Sequence, residues 1–219
     1  MEFGRAFSFV FKDPDWIKKV AISGLIGLIP VLGQLYLLGW GLETTRRVIK
    51  GETELLPEID FGGFLGKGFQ AWVIALVYAI PVIILQLPLQ LVGPLGASLQ
   101  MDQDTLSYLM IGVSVCCGGL LLIYSIILAF MVPAALGNFV AKNQLGAGLR
   151  FGEVFALVKA APVTYLLVIV GNLLVGFIAP LGLIACVIGV VVTQAYGLAV
   201  MGHFIGQAYR EATHKLGAA

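Results

Sequence analysis

Few side chains in this 219-residue sequence have types and spacings suited to chemistry. Cys116 and Cys117 are adjacent inside one apolar run, and Cys186 sits inside another. Small apolar packing is the reading for all three; a disulfide framework is not expected. His203 stands alone near the end of the last apolar run. One imidazole could bind a metal or a pigment, but by itself it reads as a hydrogen-bonded packing residue. No His-Glu-x-x-His helix, nucleophile elbow with a consistent triad, or phosphate-binding glycine loop occurs. No catalytic residue, cofactor or metal is therefore expected, and the chain reads as a non-enzyme.

The remaining candidates are neutral polar residues in apolar surroundings: Gln34, Gln86, Gln90, Asn138, Asn172, Thr193 and Gln194. They suit interhelical hydrogen bonds, worth about 0.6 kcal/mol each. They equally suit a polar pathway, with His203 at its end. Gln34 and Gln194 each open a Gln-x-Tyr triplet, with Tyr36 and Tyr196, and so are candidates for related sites. Gly202-x-x-x-Gly206 has the spacing for close helix approach, either within the chain or as an oligomer contact.

The elements that must carry these residues are set by composition and charge. Hydrophobic residues make up 59% of the chain, charged residues 11%, and mean hydropathy is +0.99. A soluble domain carries about 25% charged residues. Net charge is +1, which gives no basic field for nucleic acid. The thirteen Lys and Arg residues leave three basic-free gaps, 20–45, 68–141 and 160–209. The long apolar runs fall inside them. A spanning helix takes about 20 apolar residues. The second gap holds two candidates, 69–92 and 108–136, and the third holds 162–179 and 182–208 around an Ala-Pro-Leu-Gly turn. Basic segments stay on the cytoplasmic side, so both termini are expected there, in a multi-pass protein of the cytoplasmic (inner) cell membrane. Glu43 and His203 are the ionisable groups nearest a crossing, both at a cytoplasmic end. A proton-coupled transporter, pump or voltage sensor needs charges deeper than that.

The first gap is short. Residues 20–42 are long enough for one helix kinked at Pro30. Two crossings would instead keep all basic residues on one side. Asp13-Pro14-Asp15-Trp16 is a helix-start signal, and a helix over 14–29 would be about 24 Å long, against a hydrocarbon core of about 30 Å. A tilted short hairpin is the expected arrangement; a re-entrant pair also fits. Phe-Gly pairs at 3–4, 61–62 and 151–152 precede the three gaps, and 60–81 aligns with 150–171 without a gap. The expected organisation is one integral membrane domain, 1–219, with pseudo-repeats 1–50, 60–141 and 150–212. Each would have a short interfacial amphipathic lead-in and a hairpin. The polar segment 51–68, with Glu52, Glu54, Glu58 and Asp60, reads as a partner for Arg46, Arg47 and Lys50, or as a docking surface for a cytoplasmic protein.

Two stretches carry a resemblance. Phe11-Lys12-Asp13-Pro14-Asp15-Trp16-Ile17-Lys18-Lys19 leads into GLIGLIPVLGQLYLLGWGLETTRRVIKGE. Leu56-Pro57-Glu58-Ile59-Asp60-Phe61-Gly62 leads into a crossing with Tyr78 and Pro81. Together they resemble a bacterial and archaeal membrane family, the domain of unknown function numbered four thousand and thirteen. Ile59 stands where that family often has an aromatic residue. The resemblance implies one multi-helix membrane domain and supplies no activity, cofactor or site residue. The fold class expected is all-α: a polytopic membrane bundle of about six helical segments in three hairpins. Two functions are open. One is a non-enzymatic scaffold or pore, possible as a homo-oligomer in the lipid bilayer. The other is a transporter of a small neutral or lipidic solute.

Overall fold

A computed structural model describes residues 2–52, 55–182 and 186–217. Among them there is no strand, and the expected all-α class holds. The helices are α1 (Phe3–Ser8), α2 (Trp16–Gly27), α3 (Leu32–Lys50), α4 (Phe61–Ser98), α5 (Gln103–Lys142), α6 (Leu145–Gly148), α7 (Phe151–Ala160), α8 (Pro162–Leu181) and α9 (Cys186–Gly217). A 3-10 turn, Phe9–Lys12, comes after α1. Three helices are long and apolar enough to cross a membrane: α4, α5 and the Gly189–Gly217 part of α9. The bent pair α7 and α8 makes a fourth if it is taken as one span. The connection 183–185, Glu54 and the Cys186 side chain lie outside the described residues.

The first gap holds two helices that reverse, not one helix kinked at Pro30. The Leu32 N–H donates to the Pro30 carbonyl at 2.7 Å, and Val31 has φ 64° and ψ −63°. That is the positive-φ γ-turn, a strained three-residue reversal. A Cβ at Gly33 would fall on the Ile26 carbonyl, so only glycine lets α3 start this close to α2. The Gln34 amide then donates to the Gly27 carbonyl at 2.9 Å, satisfying one of the orphan acceptors at the end of α2. With 12 residues, α2 is about 18 Å long, well under one bilayer core. The tip of the hairpin is Leu28-Ile29-Pro30-Val31-Leu32, with its large apolar side chains exposed.

The chain divides into two compact units: Met1–Ile74 with Phe130–Ala219, and Ala75–Ala129. In the first unit α9 is the hub and packs on α1, α2, α3, α7 and α8. Its core gathers Phe9, Val10, Val20, Tyr36, Leu37, Trp40, Leu56, Phe64, Ala195 and Ala199. All three Phe-Gly pairs start a helix, at α1, α4 and α7. The continuations of those helices differ. α4 runs on unbroken, whereas α8 leaves α7 at 94°. Pro162 explains the break: it has no N–H to donate and pushes the residue before it out of the helical region. Ala161 sits at φ −138°, ψ 56°. In the alignment at an offset of 90, Trp72 occupies the Pro162 place, and it is helix-compatible.

The second unit is a helical hairpin made from the adjoining halves of α4 and α5. α4 ends in a Schellman motif: Met101 N–H donates to Gly96 O (3.0 Å) and Gln100 N–H to Ala97 O (3.2 Å), with Gln100 at φ 52°. Asp102 caps α5 by accepting from the Thr105 N–H at 2.9 Å. Midway, the Tyr124 hydroxyl donates to the Tyr78 carbonyl at 3.0 Å. Apolar side chains are exposed all along both helices of this unit, from Ile80 to Leu99 and from Tyr108 to Ile127. A helix apolar on every side belongs in a large core or a membrane.

Candidate functional site: an ion-paired belt and a row of open amides

The two motifs behind the resemblance meet in one place. Asp13, 1% exposed, ends the 3-10 turn and faces the start of α2. It accepts hydrogen bonds from the Asp15 N–H (2.8 Å), the Leu56 N–H (2.9 Å) and the Lys19 ammonium (2.9 Å). Lys19, 6% exposed, also donates to the Leu56 carbonyl at 3.2 Å and pairs with Glu58 at 2.7 Å. The Trp40 indole N–H donates to the Pro57 carbonyl at 3.3 Å. Burial pushes the Asp13 carboxyl up, but the Lys19 and backbone donors outweigh it and hold it below its ordinary range. Burial pulls Lys19 down, and its two carboxylate partners more than reverse that. Both groups stay charged near neutral pH. A general acid or base needs a pKa close to the working pH, so this pair is a brace.

A second cluster surrounds Glu43 on α3, also buried. Its carboxylate accepts from Arg46 Nε at 2.7 Å and from Lys67 of α4 at 2.5 Å. Burial raises its pKa, and those two cations bring it below the ordinary value. Arg46 reaches on to both oxygens of Glu52, at 2.9 and 3.2 Å. Arg47 donates to the Leu55 and Leu56 carbonyls. Among the described residues of 51–68 the acids are engaged within the chain: Glu52 by Arg46, Glu58 by Lys19, and Asp60 by the Gly63 N–H at the start of α4. A third cluster joins α5 to α7 and α9. Glu153 pairs with Arg150 (3.1 Å) and Lys142 and accepts from Asn138 (3.1 Å); Asn138 accepts from the Tyr209 hydroxyl (3.4 Å).

Sequence reasoning did not foresee the Asp13–Lys19 pair. Six residues apart and partly outside a helix, the two share no helical face. The only signal was that two polar motifs stood in an apolar chain.

Gln34 and Gln194, proposed as related positions, are bonded to each other, Gln194 Nε2 to Gln34 Oε1 at 3.1 Å, one on α3 and one on α9. The Thr193 hydroxyl bonds back to Gly189 O on its own helix. Asn172 is half-buried on α8, and its Oδ1 has no hydrogen-bond partner among the described residues. His203 is 1% exposed, packs against Phe9 with the rings tilted and their centroids 4.6 Å apart, and its Nδ1 lies 2.8 Å from Gln207 Nε2. The ring borders a polar cleft of about 490 Å³ that also includes Glu2, Arg5, Arg210 and His214. Among the described residues no group of three or more His, Cys, Asp or Glu side chains is gathered to hold a metal ion. Gly202 and Gly206 face α3: a Cβ at Gly202 would fall on the Gly41 carbonyl, and one at Gly206 would meet Val48 at 2.6 Å. Of the two readings held for these glycines, the structure has them at a seam inside the chain, filled by α3.

Gln86 and Gln90 differ from all of these. They are exposed, one turn apart, on an α4 stretch with no charged residue from Gly68 to Met101. Neither has a hydrogen-bond partner among the described residues. Cys116 on α5 is likewise exposed, and Cys117 is half-buried.

No curated protein and no solved structure matches the chain. A sequence family does, over a stretch that takes in the end of α2, all of α3, the Leu-Pro-Glu segment locked to Asp13, and the apolar hairpin of α4 and α5. Residues 22–188 match the family described as protein of unknown function (DUF4013), and the chain belongs to it.

Proposed function

We propose that this membrane protein is a non-enzymatic scaffold or pore that works as an assembly of copies. The observation that carries the reading is the 75–129 unit. It presents apolar side chains around both helices, with unpartnered amides in the middle of one. Lipid suits the first feature and not the second. The locked ion pairs of the belt support the same reading, because no titratable group there is poised for proton transfer. The basic residues of α2 and α3 collect at the Asp13 end of their hairpin, which supports a cytoplasmic position for that end. The ion pairs of Glu52 and Glu58 support reading the 51–68 segment as a brace rather than as a landing place for a cytoplasmic partner. Native mass spectrometry of the protein in nanodiscs, with ion flux from liposomes as a second readout, tests the proposal. Two or more copies per particle are expected. A monomer that takes up a neutral or lipidic solute would replace this reading with a transporter.

A further inference from the structure

We propose that His203 is a pH-sensitive latch for the arm 2–8: the neutral ring holds the start of α1 on α9, and protonation lets that start go. The Glu2 N–H can only donate, and it donates to Gln207 Oε1 at 2.7 Å. This fixes which way the Gln207 amide points. Its Nε2 is then the donor that reaches the Glu2 carbonyl at 3.2 Å and His203 Nδ1 at 2.8 Å. His203 Nδ1 must accept, which requires a neutral imidazole with its proton on Nε2. One side chain thus grips both backbone polar groups of Glu2 and leans on the ring behind it.

A protonated imidazole carries a hydrogen on each nitrogen. Nδ1 would then face the Gln207 NH2 group, donor against donor. Turning the amide over mends that contact and ruins the other two, because the NH2 meets the Glu2 N–H and the oxygen meets the Glu2 carbonyl. The grip and the charge exclude each other. The charge has support of its own, since the Phe9 ring lies 4.6 Å away and aromatic faces attract cations. Protons reach the ring through the cleft of about 490 Å³ that it borders. Glu2 and Arg5 of α1, Glu52 after α3, and Arg210, Glu211 and His214 of α9 face that cleft, with Val48 on the α3 side. Beyond the grip, Phe7 is held by its ring contact with Phe204 (centroids 5.5 Å) and by the Tyr196 hydroxyl, which donates to its carbonyl at 2.9 Å. The start of the arm therefore swings free while Phe7 stays tethered. The opening is local, so the Tm of the whole fold stays where the ion pairs set it.

Hydrogen exchange of the peptide 2–9, measured by mass spectrometry on the full chain in nanodiscs and corrected for the intrinsic effect of pH, tests the latch. From about pH 8 to about pH 5, protection should fall about tenfold or more, the scale of losing two ordinary hydrogen bonds. His203→Asn sets an amide oxygen near the Nδ1 position, which accepts at every pH, so the fall should vanish. Gln207→Leu removes the grip, so protection should be low and alike at both ends. Nitrogen NMR of the wild-type histidines should show Nδ1 of His203 without a proton at the alkaline end. Wild-type protection that ignores pH, a proton on Nδ1 at the alkaline end, or the same fall in His203→Asn would overturn the proposal.

Discussion

Replacing Asp13 by Ala should damage the fold far more than replacing Glu58 by Gln, although both acids contact the same lysine. Asp13→Ala leaves two buried donors without their acceptor, the Lys19 ammonium and the Leu56 N–H. Breaking a buried ion pair by removing one member costs about 3–5 kcal/mol. An orphaned buried N–H alone costs about 1–3 kcal/mol, so the two accounts agree in scale. Lys19 keeps Glu58 and the Leu56 carbonyl, which places the expected loss near the lower end, at about 3 kcal/mol. Glu58 is an exposed partner, worth about 0–1 kcal/mol. For a chain of this length, about 3 kcal/mol corresponds to a fall in Tm of roughly 10 °C. Thermal unfolding in nanodiscs, followed by tryptophan fluorescence, reads this directly, since Trp16 and Trp40 flank the pair. The double variant Asp13→Leu, Lys19→Met should recover part of the loss, because apolar residues tolerate the site better than one unpaired charge. Equal Tm shifts for Asp13→Ala and Glu58→Gln would refute the reasoning.

The geometry sets four other outcomes. Gly202→Ala should cost about 1–3 kcal/mol in the same unfolding assay, because the new methyl meets the Gly41 carbonyl and must push α3 from α9. Gln34→Leu should cost no more than about 1 kcal/mol, as it removes one interhelical amide bond and one helix-end bond at an exposed position. Stability should fall in acid: Asp13 and Glu43 titrate below their ordinary values of 3.8 and 4.5 when folded, so their contribution is complete above those values and is lost as pH drops through the lower, folded ones. Lys19 behaves oppositely, its share disappearing only as pH rises past 10.5, and a Tm profile from pH 3 to 11 should therefore be flat in the middle. Val31→Cys should resist a membrane-impermeant thiol reagent from both sides of the membrane, whereas Gln100→Cys should react from one.

The charge map alone made the two long helices legible, because a stretch free of charge from Gly68 to Met101 leaves little else for α4 to be. The caps at Asp60 and Asp102 went unread although their type suits the role, because a short polar residue before an apolar run also fits a plain loop. Pro30 was misleading on its own. A kink and a reversal share the same proline, and the choice rests on Val31 accepting a positive φ and on Gly33 admitting Ile26. Pro162 was the opposite case, a clear break hidden by an alignment that laid it over Trp72. The Gln-x-Tyr triplets drew attention to Gln34 and Gln194 as related positions, yet their direct contact depends on α3 packing against α9, 160 residues away. Asp13 was read only as a helix start for the same reason, since its decisive partner, Leu56, comes from a distant segment.

The two hairpin turns impose different work on the machinery that inserts this chain. To seat α4 and α5 across a bilayer, the Schellman turn must be carried through the oily layer with Asp102 and Asp104 on it, and carboxylates do not cross unaided. The γ-turn at Val31 has nothing to carry: Leu28 to Leu32 can sink into the membrane and stop there, leaving the charged ends of α2 and α3 in the water they started from. If the α4–α5 hairpin crosses the bilayer and the short α2–α3 hairpin only enters it, the first must be threaded during synthesis, while the second can be wedged in like a tack afterwards.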